Sequence, residues 1–437
     1  VTVQNYLSGD SAVNIARSIE QAVASGRAGA GERLPAVRTL AAQLGVSPAT
    51  VAAAYRTLQD RGITAGDGRR GTRIRPSAPV ASPAAPPMPA GVRDLSGGNP
   101  DPDLLPDLEA PLRKVGAPQR LYDDALNDPR LLKLGRAQLE EDGIDGRQLA
   151  VVSGALDGVE RVLREHLRAG DRVAVEDPCF TGILDLLAAL SLVPVPFALD
   201  DEGPRPDSLT GAVRAARALI ITPRAQNPTG AALTPRRARQ LRGVLARKPE
   251  LLLIEDDHAG PVAGMPHLTL TGGRERWAVV RSVSKSLGPD LRLALLAGDA
   301  ETVPRVEGRQ SLGIRWVSHL LQRLVAQLWS DRNVHRLLAR AAATYAARRE
   351  ALLGELAARG IEAHGVSGLN VWIPVPEETA AVQALLAAGW AVNPGARYRI
   401  GTPPAIRITT AALLPAHAAA LAADLATALT RRRSARA

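Results

Sequence analysis

The chain has 437 residues, 46% of them hydrophobic, which is enough for a large buried core and predicts two to three domains. No run of about 18 consecutive apolar residues occurs, and the opening VTVQNYLSGD lacks a basic segment followed by an apolar one, so neither a membrane span nor a secretory signal is expected. The formal net charge is +10, and the single cysteine, Cys179, excludes an intramolecular disulfide and points to a reducing, cytoplasmic setting in which it is a small packed residue.

The positive charge is unevenly spread. Residues 1–76 hold ten arginines, no lysine and five acidic residues, a net +5. Guanidinium forks suit phosphate and guanine contacts, although the general excess of Arg, Ala and Pro also fits a GC-rich coding bias. Within this head, Asn14–Ala24 sets Ile15, Ile19, Ala22 and Val23 at helical spacing. Pro35 breaks the chain, and Ala36–Leu44 resumes a short helix. Gly45 supplies a tight turn, and Ser47-Pro48 opens a third helix, Ala49–Asp60, as N-cap and first-turn proline. Val51, Ala54, Tyr55 and Leu58 form its expected inner face. Two short helices about a glycine turn make a helix-turn-helix, whose second helix enters the major groove through its first residues, here Ser47, Pro48, Ala49 and Thr50. Ile63–Ala65 and Thr72–Arg75 flank a Gly66–Gly71 turn bearing Arg69 and Arg70, which predicts a basic wing; a solvated hairpin is the plainer reading of that turn.

The run Glu32–Ile74, ERLPAVRTLAAQLGVSPATVAAAYRTLQDRGITAGDGRRGTRI, resembles the winged-helix domain of GntR-family repressors. The resemblance implies that Arg38, Ser47, Thr50, Arg69 and Gly71 touch double-stranded operator DNA. Ala36 stands where the family usually has serine, and Pro48 where it usually has a base-contacting arginine, so the operator preference is expected to differ.

Residues 76–92, opening PSAPVASPAAPPMPAG, mix Pro and Ala without charge or periodicity and read as a semi-stiff linker between a head of residues 1–75 and a body of residues 93–437. The body alternates helical stretches with apolar strand candidates at Arg172–Val175, Ala218–Thr222, Leu251–Glu255, Ala278–Ser282 and Leu293–Ala297, the pattern of an α/β sheet with mostly parallel strands. After about Gly313 the pattern turns helical, with Ala-rich runs at Leu337–Ala358 and Ala416–Thr430 and strand candidates at Leu369–Ile373 and Ile406–Thr409. This predicts a large part over about 115–313 and a smaller α+β part over about 314–437 plus 93–114.

Sites in such sheets collect at the carboxyl ends of strands. In RSVSKSLGPDLRL, Lys285 follows a strand end among Ser282, Ser284 and Ser286, with Arg292 seven residues on. The whole chain has four lysines, which favours a role for this one. A buried lysine near other cations loses its proton and becomes a nucleophile able to form a Schiff base with an aldehyde cofactor. Arginine and hydroxyls beside it suit that cofactor's phosphate. In IEDDHAG, a carboxylate after the strand Leu251–Ile254 is placed to pair with a protonated ring nitrogen; a metal site of Asp256, Asp257 and His258 is the rival reading. SGALDG, Ser153–Gly158, is a small-residue turn that exposes N–H groups at a helix start to a phosphate. Asn227-Pro228-Thr229-Gly230 follows a strand, and Phe180 in EDPCF could stack on a flat ring or serve the core.

Together these segments, from about Leu95 to Leu414, resemble a fold-type-I aminotransferase of the aspartate aminotransferase class. The resemblance implies pyridoxal 5'-phosphate as cofactor and Lys285 as its Schiff-base lysine. It implies Asp256 at the ring nitrogen, Asn227 at the ring hydroxyl and Phe180 on the ring face. Ser153, Gly154, Ala155, Ser282 and Arg292 would form the phosphate cup. Tyr122 would reach the phosphate of a partner subunit, and Arg407 would clamp a carboxylate. His258 replaces a tyrosine at the ring hydroxyl; its imidazole is expected to donate the same bond while titrating near neutrality. A GntR-type head before such a body is similar to the MocR subfamily of regulators. That similarity implies a homodimer that binds operator DNA and senses a vitamin-B6 compound or an amino acid through Lys285. An active aminotransferase carrying a DNA-binding head is the alternative.

Overall fold

The computed structural model describes residues 7–24, 28–29, 31–60, 63–66, 71–74, 89, 91–116, 119 and 121–430. Arg69 and Arg70 of the expected wing lie outside the described residues, as does most of the 76–92 segment. The chain forms two compact units, Val1–Pro86 with Leu167–Val173 and Gly182–Pro194, and Pro87–His166 with Ala174–Thr181 and Val195–Ala437.

In the head, α1 (Ala12–Ala24), α2 (Val37–Leu44) and α3 (Pro48–Asp60) precede a hairpin of β1 (Thr64–Gly66) and β2 (Thr72–Ile74). Gly45 ends α2 in the left-handed region at φ 67°, a conformation that costs glycine nothing, and turns the chain into α3. Ser47 caps α3: its Oγ accepts the Thr50 N–H at 3.1 Å. The apolar faces of the three helices meet in one core of Ile15, Ile19, Leu40, Val51, Ala54 and Leu58, which β2 closes with Ile74. Tyr55 is buried there and donates its hydroxyl to the Pro35 carbonyl at 2.7 Å, which fastens α3 to the chain entering α2.

The body opens with β3 (Arg93–Asp94). Its large sheet contains β4 (Leu149–Val152), β5 (Arg172–Asp177), β6 (Val193–Asp200), β7 (Gly203–Pro204), β8 (Ala218–Ile221), β9 (Leu252–Asp257), β10 (Trp277–Ser282) and β11 (Ala294–Gly298). They lie in the order β4-β11-β10-β9-β8-β5-β6-β7. The pairs β8–β9 and β9–β10 are parallel, whereas β11 runs antiparallel to both β10 and β4. Eleven residues, 283–293, separate β10 from β11, too few for a parallel crossover, so the chain reverses. That reversal carries both Lys285 and Arg292.

A second, smaller sheet of β12 (Asn370–Pro374), β14 (Asn393–Pro394) and β15 (Ala405–Thr409) is antiparallel, while β13 (Trp390–Ala391) pairs in parallel with β3. It packs on the end of the 26-residue helix Arg332–Ala357 and on Pro415–Thr430, around Leu352, Val371, Ile406 and Leu421. The larger core takes in Leu324, Leu338 and Tyr345, so the helices on either side of residue 330 stand with the large sheet. Among the described residues no helix is long and apolar enough to cross a membrane.

Candidate cofactor and effector site

Strand alternation sorts the acidic run of β9. Glu255 and Asp257 turn to one face and Asp256 to the other. Asp257 accepts Arg224 through two bonds of 2.9 Å and Arg281 Nε at 2.6 Å. Burial works against its ionisation, but those two guanidiniums hold it well below the usual carboxylate range. Glu255 takes His267 Nε2 at 2.8 Å. Asp256 points into a cavity of about 420 Å³ that His258 also lines, whereas Asp257 is turned away and held by two arginines, and among the described residues no group of three metal-ligating side chains forms, which goes against the rival metal reading. Burial first, then the charges of Asp257 and Glu176, push the Asp256 carboxyl up to about 7. Its Oδ1 is buried and, among the described residues, has no hydrogen-bond partner.

Lys285 enters the same cavity from the reversal after β10 and donates to the Gly98 carbonyl. Burial, and then the charge of Arg407, lower its amine to about 8. Arg292, in the left-handed region at φ 42°, closes the reversal beside the turn that follows β4 and donates to the Ser153 carbonyl at 3.4 Å. Gly154 lies at φ 101°, which requires glycine, and an ideal Cβ there would stand 3.0 Å from the Arg292 guanidinium, so the turn and the arginine are closely apposed. The Ser153 N–H is taken by Asp157 at 2.9 Å and the Gly154 N–H by the Val152 carbonyl at 2.9 Å. Ala155 and Leu156 begin the helix Ala155–His166 and line the cavity, and first-turn N–H groups have no intrahelical acceptor.

Asn227 and Phe180, from the loops after β8 and β5, complete the wall, with Ser282 and Ser284. His258 corrects the expectation from sequence. A carbonyl only accepts, so the 2.8 Å contact from Nε2 to Ala225 O makes Nε2 the donor. Burial, then the charge of Lys285, lower the ring to about 4. His258 is therefore neutral at pH 7, and its Nδ1 can accept a bond but not donate one.

The smaller sheet adds Arg407 from β15. Its Nη1 donates to Asn227 Oδ1 at 3.2 Å and its Nη2 to the Ser96 carbonyl, while its guanidinium carbon stands 5.0 Å from the Tyr398 ring centre. Asn393 donates to Ser96 O and to the Tyr398 hydroxyl. Ser96, Gly98, Asn99, Asn393 and Tyr398 all line the cavity, and reading the sequence missed them. The small-residue run Ser96–Asn99 after β3 was a usable signal; Asn393 and Tyr398 sit in no recognisable pattern.

The residues present fit pyridoxal phosphate. Asp256, which lines the space for a ring nitrogen, has a buried oxygen without a partner among the described residues, an amine whose proton is loosened by burial lines the space for an aldehyde, and a left-handed glycine turn meets an arginine where a phosphate would sit.

Residues 144–425 match the family "Aminotransferase class I and II", and residues 11–74 match "Bacterial regulatory proteins, gntR family". The vitamin B6 salvage pathway transcriptional repressor PtsJ of Salmonella typhimurium is 40% identical over 97% of this chain and 100% of its own length. The chain belongs to the MocR group of GntR-type regulators. Another relative, the HTH-type transcriptional regulator TauR of Rhodobacter capsulatus, is 28% identical over 82% of each chain. Among solved structures, an archaeal alanine:glyoxylate aminotransferase superposes with a TM-score of 0.71 at 20% identity, covering 78% of this chain and 91% of that one, which gives the body the fold-type-I architecture. Members of this aminotransferase family use pyridoxal phosphate.

In this MocR-type chain the DNA-facing candidates stand on the head's surface. Arg38 on α2 and Ser47 and Pro48 at the start of α3 are exposed, Thr50 is half-buried, and Gly71 opens β2. Tyr122 lies outside the cavity, 72% exposed, with its ring 5.9 Å from Trp316 and Arg315 stacked at 4.8 Å.

Proposed function

We propose that this chain is a pyridoxal-phosphate-dependent transcription regulator that binds operator DNA as a dimer and senses a vitamin-B6 compound or an amino acid at the Lys285 cavity. Asp256 carries the reading: a buried carboxylate with an unsatisfied oxygen is costly unless a ligand completes it, and Lys285 and Arg407 stand around the same space. When bound, pyridoxal phosphate supplies an aldehyde for the Lys285 amine and a ring that withdraws electrons. Asp256 would hold the ring nitrogen's proton by its charge, His258 Nδ1 would accept from the ring hydroxyl, and Asn227, which accepts from Arg407, would also support that hydroxyl. Arg292 would offset the phosphate's charge, and Ser282 and the helix-start N–H groups would donate hydrogen bonds to it. Arg407 holds an effector carboxylate bidentately. The resemblance to PtsJ, named for vitamin B6 salvage, supports a vitamer as effector.

A dimer is supported by the apolar surface of Leu112, Leu121, Tyr122, Leu312, Ile314 and Leu320, all at least half exposed. Two heads then meet two half-sites. Titrating the ligand-free protein with pyridoxal phosphate tests the cofactor assignment. A visible absorbance band is expected in the wild type and none in a folded Lys285→Ala variant; an unchanged band in the variant rejects the lysine. Gel-shift measurements with DNA from upstream of its own gene, with and without the cofactor, test the regulation.

Arg407, with Asn227 beside it and its Nε unpartnered among the described residues, also suits a substrate carboxylate, which keeps a working aminotransferase as the second reading. Rapid multiple turnover with amino donors and keto acids favours the enzyme, and a single slow half-reaction favours the regulator.

A further inference from the structure

Asp177 ends β5 and is nearly buried, at 9% exposure. Among the described residues no cationic side chain pairs with it. Instead it takes three successive backbone N–H groups, Ile400 on Oδ1 at 2.8 Å and Gly401 and Thr402 on Oδ2 at 2.7 and 3.0 Å. A buried charge needs such compensation, and converging amides provide it as they do for bound anions. Ile400 and Gly401 are themselves exposed, so these amides turn inward to the carboxylate although water is at hand.

The same segment is held from its other side by Glu378. That residue accepts the Ala396 N–H at 2.7 Å, Arg399 Nε at 2.8 Å and the Ala405 N–H at 3.1 Å. Glu378 belongs to the same small lobe as β15, so it shapes the segment. Asp177 belongs to the large sheet, so it fixes where the segment stands against β5. One residue pair strengthens the tie: Cys179 donates its N–H to the Tyr398 carbonyl at 2.7 Å. Phe180 comes next in the chain and lines the cavity, while the Tyr398 ring covers Arg407. The stretch 177–180 therefore touches both the ring side of the cavity and the cover of its arginine.

We propose that Asp177 is the positioning residue for effector recognition, setting the gap between Phe180 and Arg407 that a carboxylate-bearing ligand must fit. This rests on reading Arg407 as the carboxylate anchor. Phe180 apart, the residues assigned to the cofactor ring and phosphate stand on other elements, Lys285, Asp256, Ser282 and Arg292 among them, so most of the cofactor's grip does not pass through the clamp. Asp177→Asn keeps the shape of the side chain but puts an amide donor, or a single acceptor, where three N–H groups converge.

The test combines three readouts on the full chain. Cofactor titration of Asp177→Asn gives near wild-type affinity. The cofactor-loaded variant needs about tenfold more L-alanine for half-maximal absorbance change, the worth of one charge-assisted hydrogen bond; its response to L-alaninamide, which lacks the carboxylate, stays the same. Hydrogen exchange at residues 400–402 is slow in the wild type and at least about tenfold faster in the variant. Wild-type L-alanine response with protected amides in the variant overturns the proposal, as does loss of cofactor uptake, which would make Asp177 a fold determinant. Should the wild type respond to neither probe, the reading of Arg407 falls, and exchange alone decides the clamp: fast exchange at 400–402 in the wild type refutes it.

Discussion

At the scale of single residues, burial decides protonation, and protonation decides what each group can do. The Asp256 carboxyl, raised from 3.8 to about 7, keeps in the folded, ligand-free protein a proton that the unfolded chain has already lost between those values. Its contribution to stability is therefore full below about pH 4 and is lost as pH rises through 7. Asp256→Asn escapes that loss. Without cofactor, the variant should be the more stable protein at pH 8, by up to about 4 kcal/mol, and level with the wild type near pH 4. Melting curves of both proteins at the two pH values check this, and a wild type that gains on the variant with rising pH contradicts it. With cofactor the order reverses, because the variant has no anion for the ring nitrogen. The Lys285 amine, lowered to about 8, predicts that cofactor uptake accelerates roughly tenfold per pH unit below 8 and levels off above it, as the neutral amine accumulates; stopped-flow absorbance reads the profile. Lys285 and Asp256 were legible in the sequence because each stands near the carboxyl end of an apolar run, although the strand continues through Asp256 to Asp257. The state of His258 was not, since it depends on burial and on a lysine 27 positions away in sequence, and Tyr398 and Asn393 reach the cavity only through the packing of the second sheet.

At the scale of elements, the head was the most legible part. Proline, glycine and serine at fixed offsets dictate where α2 ends and α3 begins, and the inward positions of α3 follow from helical period alone. Ser47→Ala should cost about 1 kcal/mol of head stability by removing the cap on the Thr50 N–H, which denaturant unfolding followed by a probe in the head would register. Arg38→Ala, on the exposed face of α2, should weaken operator binding and flatten its salt dependence by about one phosphate contact while leaving cofactor uptake intact; unchanged binding at moderate salt would remove α2 from the DNA face. In the body, β6 escaped notice. Its sequence VPVPFALD holds two prolines and buries only Phe197 well, so neither strand propensity nor alternation marks it. It survives next to the sheet edge, where β7 is its short outer neighbour. The reversed direction of β11 was hidden for another reason: an apolar run does not say which way it points, and only the length of the preceding connection does.

At the scale of the whole molecule, composition marked the linker and the order of head and body, because an uncharged Pro/Ala stretch interrupts two differently patterned regions. The proposed association surface was not visible in the sequence: its apolar residues come from the short helix Glu109–Lys114, the turn near Tyr122 and residues 312–320. Leu312 is 80% exposed, and Leu312→Arg should shift the protein from dimer toward monomer and weaken binding to a two-half-site operator, as sedimentation and gel-shift titrations would report; an unaltered dimer would move the interface elsewhere. The distribution of cations has a chemical consequence of its own. Primary amines condense with aldehydes, whereas a guanidinium that never gives up its proton does not. The head carries ten arginines and no lysine, and Lys248 commits its amine to three carbonyls at a helix end. A simple aldehyde therefore finds no lysine amine on the head to condense with, which leaves the proposed DNA face free of the kind of adduct that Lys285 is proposed to form.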